Sequence, residues 1–177
     1  MVGNDGKRAN EAAFWDRFAA LYGEQVREDI PLFDAFYRQE FQQAKAFCGF
    51  TPKARAAVEA CKAAGHRVAL ATNPIFPAVA TETFAWYTTY ENIGYCKPNP
   101  DYYREILRYL GCRAEDCLMV GNDVEEDMMA AQAAGLSVFL LTDCLLNRKE
   151  KDISSYPQGD FDALLAFVEE WGGEASL

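Results

Sequence analysis

The stretch Leu118-Met119-Val120-Gly121-Asn122-Asp123-Val124-Glu125-Glu126-Asp127-Met128-Met129-Ala130-Ala131-Gln132-Ala133-Ala134-Gly135-Leu136 decides the fold. Its first part, with Cys117 before it, is a short apolar run suited to a buried strand. Gly121 then permits a tight turn, and Asn122 can bond its neighbours without adding charge. Val124 to Ala134 reads as a helix, stopped at Gly135 because glycine readily takes the left-handed conformation that ends helices. Leu136 to Leu141 follows as a second apolar strand.

The same alternation extends upstream. Thr51-Pro52 predicts a helix start, with the Thr hydroxyl capping a free amide and Pro in a first-turn position, and that helix runs to about Ala64 before Gly65. Arg67 to Thr72 is a strand candidate. A helix is expected around Pro77 to Trp86, a weaker strand near Thr88 to Glu91, and a helix over Asp101 to Leu110 ended by Gly111. Phe161 to Trp171 predicts a last outer helix, and Leu145 to Gly159 is the most loop-like long segment. Strands alternating with helices in this way imply an α/β fold, a parallel sheet covered on both faces. Ahead of it, Phe14, Phe18, Leu21 and Tyr22, then Phe33, Phe36, Tyr37 and Phe41, recur at helical spacing on either side of Pro31. These stripes read as packing surfaces of two amphipathic helices.

Parallel sheets place their chemistry at the carboxyl ends of their strands. Three segments reach that edge here: Thr72-Asn73-Pro74, Cys96-Lys97-Pro98-Asn99-Pro100 and Gly121-Asn122-Asp123 with Asp127 four residues on. Thr72, Lys97 and Asp123 are separated by 25 and 26 residues, one strand-helix unit apiece. Converging, they would make a phosphate site. Thr72 donates to a phosphoryl oxygen, Lys97 neutralises charge, and Asp123 offers a hard oxygen to Mg²⁺. Asp123 and Asp127 fall on one side of a helix start, where two carboxylates repel unless a cation lies between them.

These residues resemble three motifs of the haloacid dehalogenase superfamily. VALATN (Val68 to Asn73) is similar to its strand ending in Ser or Thr, CKPNP (Cys96 to Pro100) to its lysine motif, and Leu118 to Leu136 to its acidic motif. The resemblance implies a Rossmann-like three-layer core over residues 50–177 and a partial α-helical cap over residues 1–49. It implies phosphate contacts from Thr72, Asn73 and Lys97, with Thr72 and Lys97 catalytic. Mg²⁺ would be held by Asp123, with Asp127 assisting, and the substrate would be a small phosphorylated metabolite. A metal-free dehalogenase and a non-catalytic phosphate-binding scaffold are the alternatives.

The family's first motif is an apolar strand ending in D-x-D, whose first Asp attacks phosphorus and whose second is acid and base. Nothing ahead of Phe14 resembles it, and Asp160-Phe161-Asp162 opens a helix near the C-terminus. That strand belongs between those ending at Thr72 and Val120, so its loss leaves two edges unpaired. The expectation is that Met1 is internal to a longer protein and that these 177 residues alone are inert. An in-frame stop codon upstream in the encoding DNA, with no apolar D-x-D segment before Met1, would count heavily against it.

Bulk properties bound the rest. A formal charge of −10 supplies no electrostatic footprint for nucleic acid or an anionic membrane, and it repels phosphorylated substrates unless local cations intervene. Six cysteines without a C-x-x-C pair, and His66 as the only histidine, argue for reduced thiols and against a zinc site. With no signal-peptide profile or long apolar run, a cytoplasmic location is expected.

Overall fold

The computed structural model describes residues 4–47, 49, 51–73 and 84–171. The chain forms two compact units, one from Met1–Phe50 with Ala69–Cys96, the other from Thr51–Val68 with Lys97–Leu177.

In the first unit, α1 (Asn10–Tyr22) and α2 (Ile30–Arg38) form where the aromatic spacing predicts them. Pro31 lies inside the first turn of α2, where no helical partner awaits its missing amide. Phe41 falls beyond the helix, in a 3₁₀ stretch over Glu40–Ala46. Trp15 is buried and meets Phe33 edge-on with ring centroids 5.4 Å apart, which ties the two helices together. The free amides at the start of α1 are satisfied by a distant segment. Asn10 N donates to Ile93 O at 2.9 Å and Glu11 N to Tyr90 O at 2.8 Å.

The same unit holds a two-stranded parallel sheet, β1 (Ala69–Leu70) and β2 (Trp86–Tyr87). The weaker strand therefore lies two residues earlier than its predicted position, and Trp86 belongs to a strand rather than to the end of a helix. Phe84 and Ala85, just before it, are bends rather than helix, and residues 77–83 of the predicted Pro77 helix fall outside the described residues. Beyond β1 the buried Thr88 hydroxyl bonds both backbone groups of the next residue but one, Thr72. It accepts from Thr72 N at 3.0 Å and donates to Thr72 O at 2.7 Å.

The second unit is layered. A parallel sheet has the order β3 (Leu118–Gly121), β4 (Ser137–Leu141), β5 (Gln158–Gly159). The short β5 lies inside the segment the sequence reads as loop. In β4, Val138, Phe139, Leu140 and Leu141 are all buried, as a strand covered on both faces requires. Phe139 and Leu141 pack with Ala57 of α3 (Pro52–Ala63) and with Leu164 and Val168 of α6 (Phe161–Trp171). On the other side lie α4 (Pro100–Leu110), a π-helical turn (Val124–Met129) and α5 (Ala130–Ala133). Gly65, Gly111 and Gly135 follow α3, α4 and α5 with positive φ, as the sequence predicts. Thr51 precedes α3, but its side chain accepts no hydrogen bond from the helix, so Pro52 alone of that pair does the expected work.

In a parallel ladder successive residues send their backbone groups to alternate sides. Ser137 N donates to Cys117 O at 3.1 Å, so Cys117, Met119 and Gly121 face β4 while Leu118 and Val120 face the opposite margin. Among the described residues β1 pairs only with β2, and β3 within its sheet only with β4.

Cys61, Cys96, Cys112, Cys117 and Cys144 are free thiols, and Cys48 lies outside the described residues. Burial first, then the neighbouring Cys112 thiol, pushes the Cys117 thiol up to about 11, while Cys144 is exposed. At pH 8 iodoacetamide is therefore expected to label Cys144 first and Cys117 last, with labelling of Cys117 rising as the pH approaches 11. Peptide mass mapping checks the order, and equal rates at the two sites would contradict it.

Candidate active site

At the carboxyl end of β3 the chain leaves the sheet through Gly121-Asn122-Asp123 and enters the π-helical turn. That turn is wide because Asp123 O receives both Asp127 N at 3.0 Å and Met128 N at 3.2 Å. The extra width lets Asp127 lean back over the strand end. Its Oδ2 accepts from Asn122 N and Asp123 N, both at 3.1 Å. Its Oδ1 accepts from Lys97 Nζ at 2.6 Å, and the Tyr103 hydroxyl lies 3.5 Å away.

Gly121 is required here for space. A Cβ at this position would overlap the Asp127 carboxylate. The tight backbone turn expected from the sequence is not its main reason, because Gly121 is absent from the positive-φ glycines.

Lys97 arrives from the other side of the sequence. Its motif builds the start of α4: Asn99 accepts from Asp101 N at 2.9 Å as the cap, and Pro100 opens the first turn. One turn into the helix, Tyr103 donates to Glu126 O at 2.9 Å. Burial, then the Asp127 charge, raises the Tyr103 phenol well above its ordinary range, so it stays a neutral donor. Lys97 and Asp127 are each only 8% exposed at the side chain, and the ammonium also lies 5.9 Å from the ring centroids of Tyr102 and Tyr103.

Asp123 is buried and serves two ends. Its Oδ1 caps the turn, accepting from Glu125 N at 3.0 Å and Glu126 N at 2.9 Å, while Oδ2 receives Arg148 Nη1 at 2.5 Å. Burial works to raise this carboxyl. The Glu126 amide, Arg148 and the Glu125 amide outweigh it and hold the group below the usual carboxylate range. The two acids four residues apart thus carry separate cations, Lys97 on Asp127 and Arg148 on Asp123.

The second unit therefore brings together Lys97, Asp123 and Asp127. Thr72 and Asn73 belong to the first unit, exposed just beyond β1, with the Thr72 backbone held by Thr88. Tyr103 and Arg148 went unrecognised in the sequence. Arg148 did leave a signal, as part of a basic cluster with Lys149 and Lys151 in a strongly acidic chain. Asp160-Phe161-Asp162 is structural: Asp160 caps α6 through Ala163 N at 2.9 Å, and Asp162 pairs with Lys53 at 2.8 Å.

The chemistry of the donors suits Mg²⁺. Asp123 presents a hard oxygen whose orientation is fixed by two amides, and Mg²⁺ commonly takes one or two carboxylates, waters and substrate phosphate. Among the described residues no three His, Cys, Asp or Glu side chains form a metal-holding group, so Asp123 would be one member of a set completed by other groups. No described helix is long and apolar enough to cross a membrane.

Residues 4–135 match the family model described as haloacid dehalogenase-like hydrolase. Over 64 residues the chain is 39% identical to glyceraldehyde 3-phosphate phosphatase from Methanothermobacter thermautotrophicus, a match spanning 36% of this chain and 28% of that protein. Among solved structures it resembles a HAD phosphatase from Thermococcus onnurineus, with TM-score 0.62 and 14% identity over 75% of this chain and 64% of that one. It also resembles 2-haloacid dehalogenase from Pseudomonas syringae pv. Tomato DC3000, with TM-score 0.59 and 20% identity over 85% of this chain and 63% of that one. At such identities the structural likenesses speak for a Rossmann-like α/β fold alone. With the family model covering most of its length, the chain belongs to the haloacid dehalogenase-like hydrolases.

Proposed function

We propose that this chain supplies the phosphate- and cation-holding part of a Mg²⁺-dependent phosphohydrolase acting on a small phosphorylated metabolite. The observation that carries the reading is the buried Lys97–Asp127 pair at the end of β3, four residues from a second buried carboxylate, Asp123. The hydrogen bond to Asp127 fixes the Lys97 ammonium in place at the strand end, ready to neutralise a phosphoryl oxygen. Thr72 and Asn73, just beyond β1, are the further phosphate contacts that the family resemblance implies. Tyr103 keeps the Asp127 turn in place by bonding Glu126 O.

Asp123 holds the divalent cation, and Asp127 assists by fixing the amides of Asn122 and Asp123. When bound, Mg²⁺ supplies charge neutralisation at the phosphoryl group. The nucleophilic D-x-D strand that the family resemblance implies has no counterpart among these residues, so the 177-residue chain is expected to bind phosphate without turning over a phosphate ester. The helices of residues 1–49 belong to a cap that sets specificity, and the protein works in the cytoplasm.

The test is calorimetric titration of the chain with Mg²⁺. Asp123→Ala is expected to weaken binding by at least about tenfold. Unaltered binding in that variant would refute Asp123 as the ligand. No binding by the unmodified chain would favour the metal-free dehalogenase or scaffold readings instead.

A further inference from the structure

The loop after β4 carries the only pair of adjacent cations that reaches the acidic turn among the described residues. Arg148 Nη1 bonds Asp123 Oδ2 at 2.5 Å, and Lys149 Nζ bonds Glu125 Oε1 at 2.7 Å. The loop is fastened to the same strand end by its backbone. Val124 N donates to Leu146 O at 3.0 Å, Leu146 N to Asn122 O at 2.8 Å, and Asn122 Nδ2 to Cys144 O at 2.7 Å. A turn then closes on itself, since Asn147 Oδ1 accepts from Lys151 N at 2.9 Å and Asn147 Nδ2 donates to Lys151 O at 2.8 Å. Arg148 is thus delivered to Asp123 by a built turn.

The pair is lopsided. The Arg148 side chain is 60% exposed, whereas that of Asp123 is 9% exposed. Asp123 cannot move without losing the amides that its Oδ1 caps, but the guanidinium can swing into water without disturbing the core. Oδ1 is engaged by two amides, so Oδ2 is the oxygen left to face an incoming ion, and Arg148 is on it. Two cations on one carboxylate oxygen repel strongly where water is scarce.

From this juxtaposition of Arg148 with Asp123 Oδ2 we infer that Arg148 is a built-in competitor of the divalent cation. It is a positioning residue: it neutralises the buried carboxylate in the metal-free protein and must be displaced for Mg²⁺ to bind. The inference rests on the reading of Asp123 as the cation's ligand. Its consequence is a metal-responsive surface turn, held while Arg148 is on Asp123 and loosened when Mg²⁺ takes its place.

The experiment compares Mg²⁺ titrations of the unmodified chain, Arg148→Gln and Lys149→Gln at one ionic strength. Both substitutions remove one positive charge beside the turn, so the general field changes alike. Arg148→Gln is expected to bind Mg²⁺ about tenfold more tightly, the size of a partly exposed ion pair no longer in competition, and Lys149→Gln within about twofold of the unmodified chain. In parallel, trypsin cleavage after Arg148 and Lys149, followed by fragment mass, should accelerate in the unmodified chain when Mg²⁺ is added. Equal affinities for the two variants, or protection of the turn by Mg²⁺, would overturn the inference while leaving Asp123 as a ligand if Asp123→Ala still weakens binding by at least about tenfold. Absence of Mg²⁺ binding in all three proteins would overturn both.

Discussion

Lys97→Met is expected to destabilise the chain by about 3–5 kcal/mol, lowering the urea midpoint with little change in slope. The ammonium and the Asp127 carboxylate are both nearly sealed from water and lie 2.6 Å apart, so deleting one leaves the other charged without its counter-ion. Two amides still reach Asp127, which places the expected cost at the lower end of that range. The same variant should bind inorganic phosphate more weakly, because the ammonium proposed to receive it is gone. Combining it with Asp127→Asn removes the orphaned charge, and the double variant is expected to recover part of the loss. Should Lys97→Met unfold at the same urea concentration as the unmodified chain, the pair cannot be the buried tie described above.

Gly121→Ala should cost about 1–3 kcal/mol, an unusual penalty for adding one methyl group at the end of a strand. The added carbon would fall on the Asp127 carboxylate, and yielding would pull Asp127 away from Lys97 and from the Asn122 and Asp123 amides. Urea unfolding measures the loss. Asp127→Ala would keep the Cβ that the added carbon meets at 2.6 Å, so the control is an Asp127→Gly background, where adding Gly121→Ala should change stability by only about 0.5 kcal/mol or less. Equal costs in both backgrounds would show that the glycine matters for some reason other than the carboxylate above it.

The features legible in the sequence are those with a local cause. Gly65, Gly111 and Gly135 stop helices by their own conformational freedom, and the apolar run of β4 announces a strand covered on both sides. The spacing of Lys97, Asp123 and Asp127 carried the second half of the candidate site because each follows a strand or opens a helix. What escaped depends on partners distant in sequence. Nothing in Trp86-Tyr87 marks a strand, since two residues carry no periodicity, and the ladder to Ala69 and Leu70 makes them one. Thr51 has the right chemistry for a cap yet does not perform it. Arg148 acquires its role through a loop that returns to the strand end, and Tyr103 through the turn of α4 that faces Glu126.

The overlap between the Gly121 backbone and the Asp127 side chain also limits how this stretch can change length. Inserting or deleting one residue between them would rotate the carboxylate about the helical axis by roughly a quarter of a turn. The acid would then swing off the strand, and a bare glycine would be left beneath an empty gap. Point changes at the half-buried Glu125 or Glu126 leave that spacing intact, so these two positions are open to substitution in composition while the segment is closed to gain or loss of a residue.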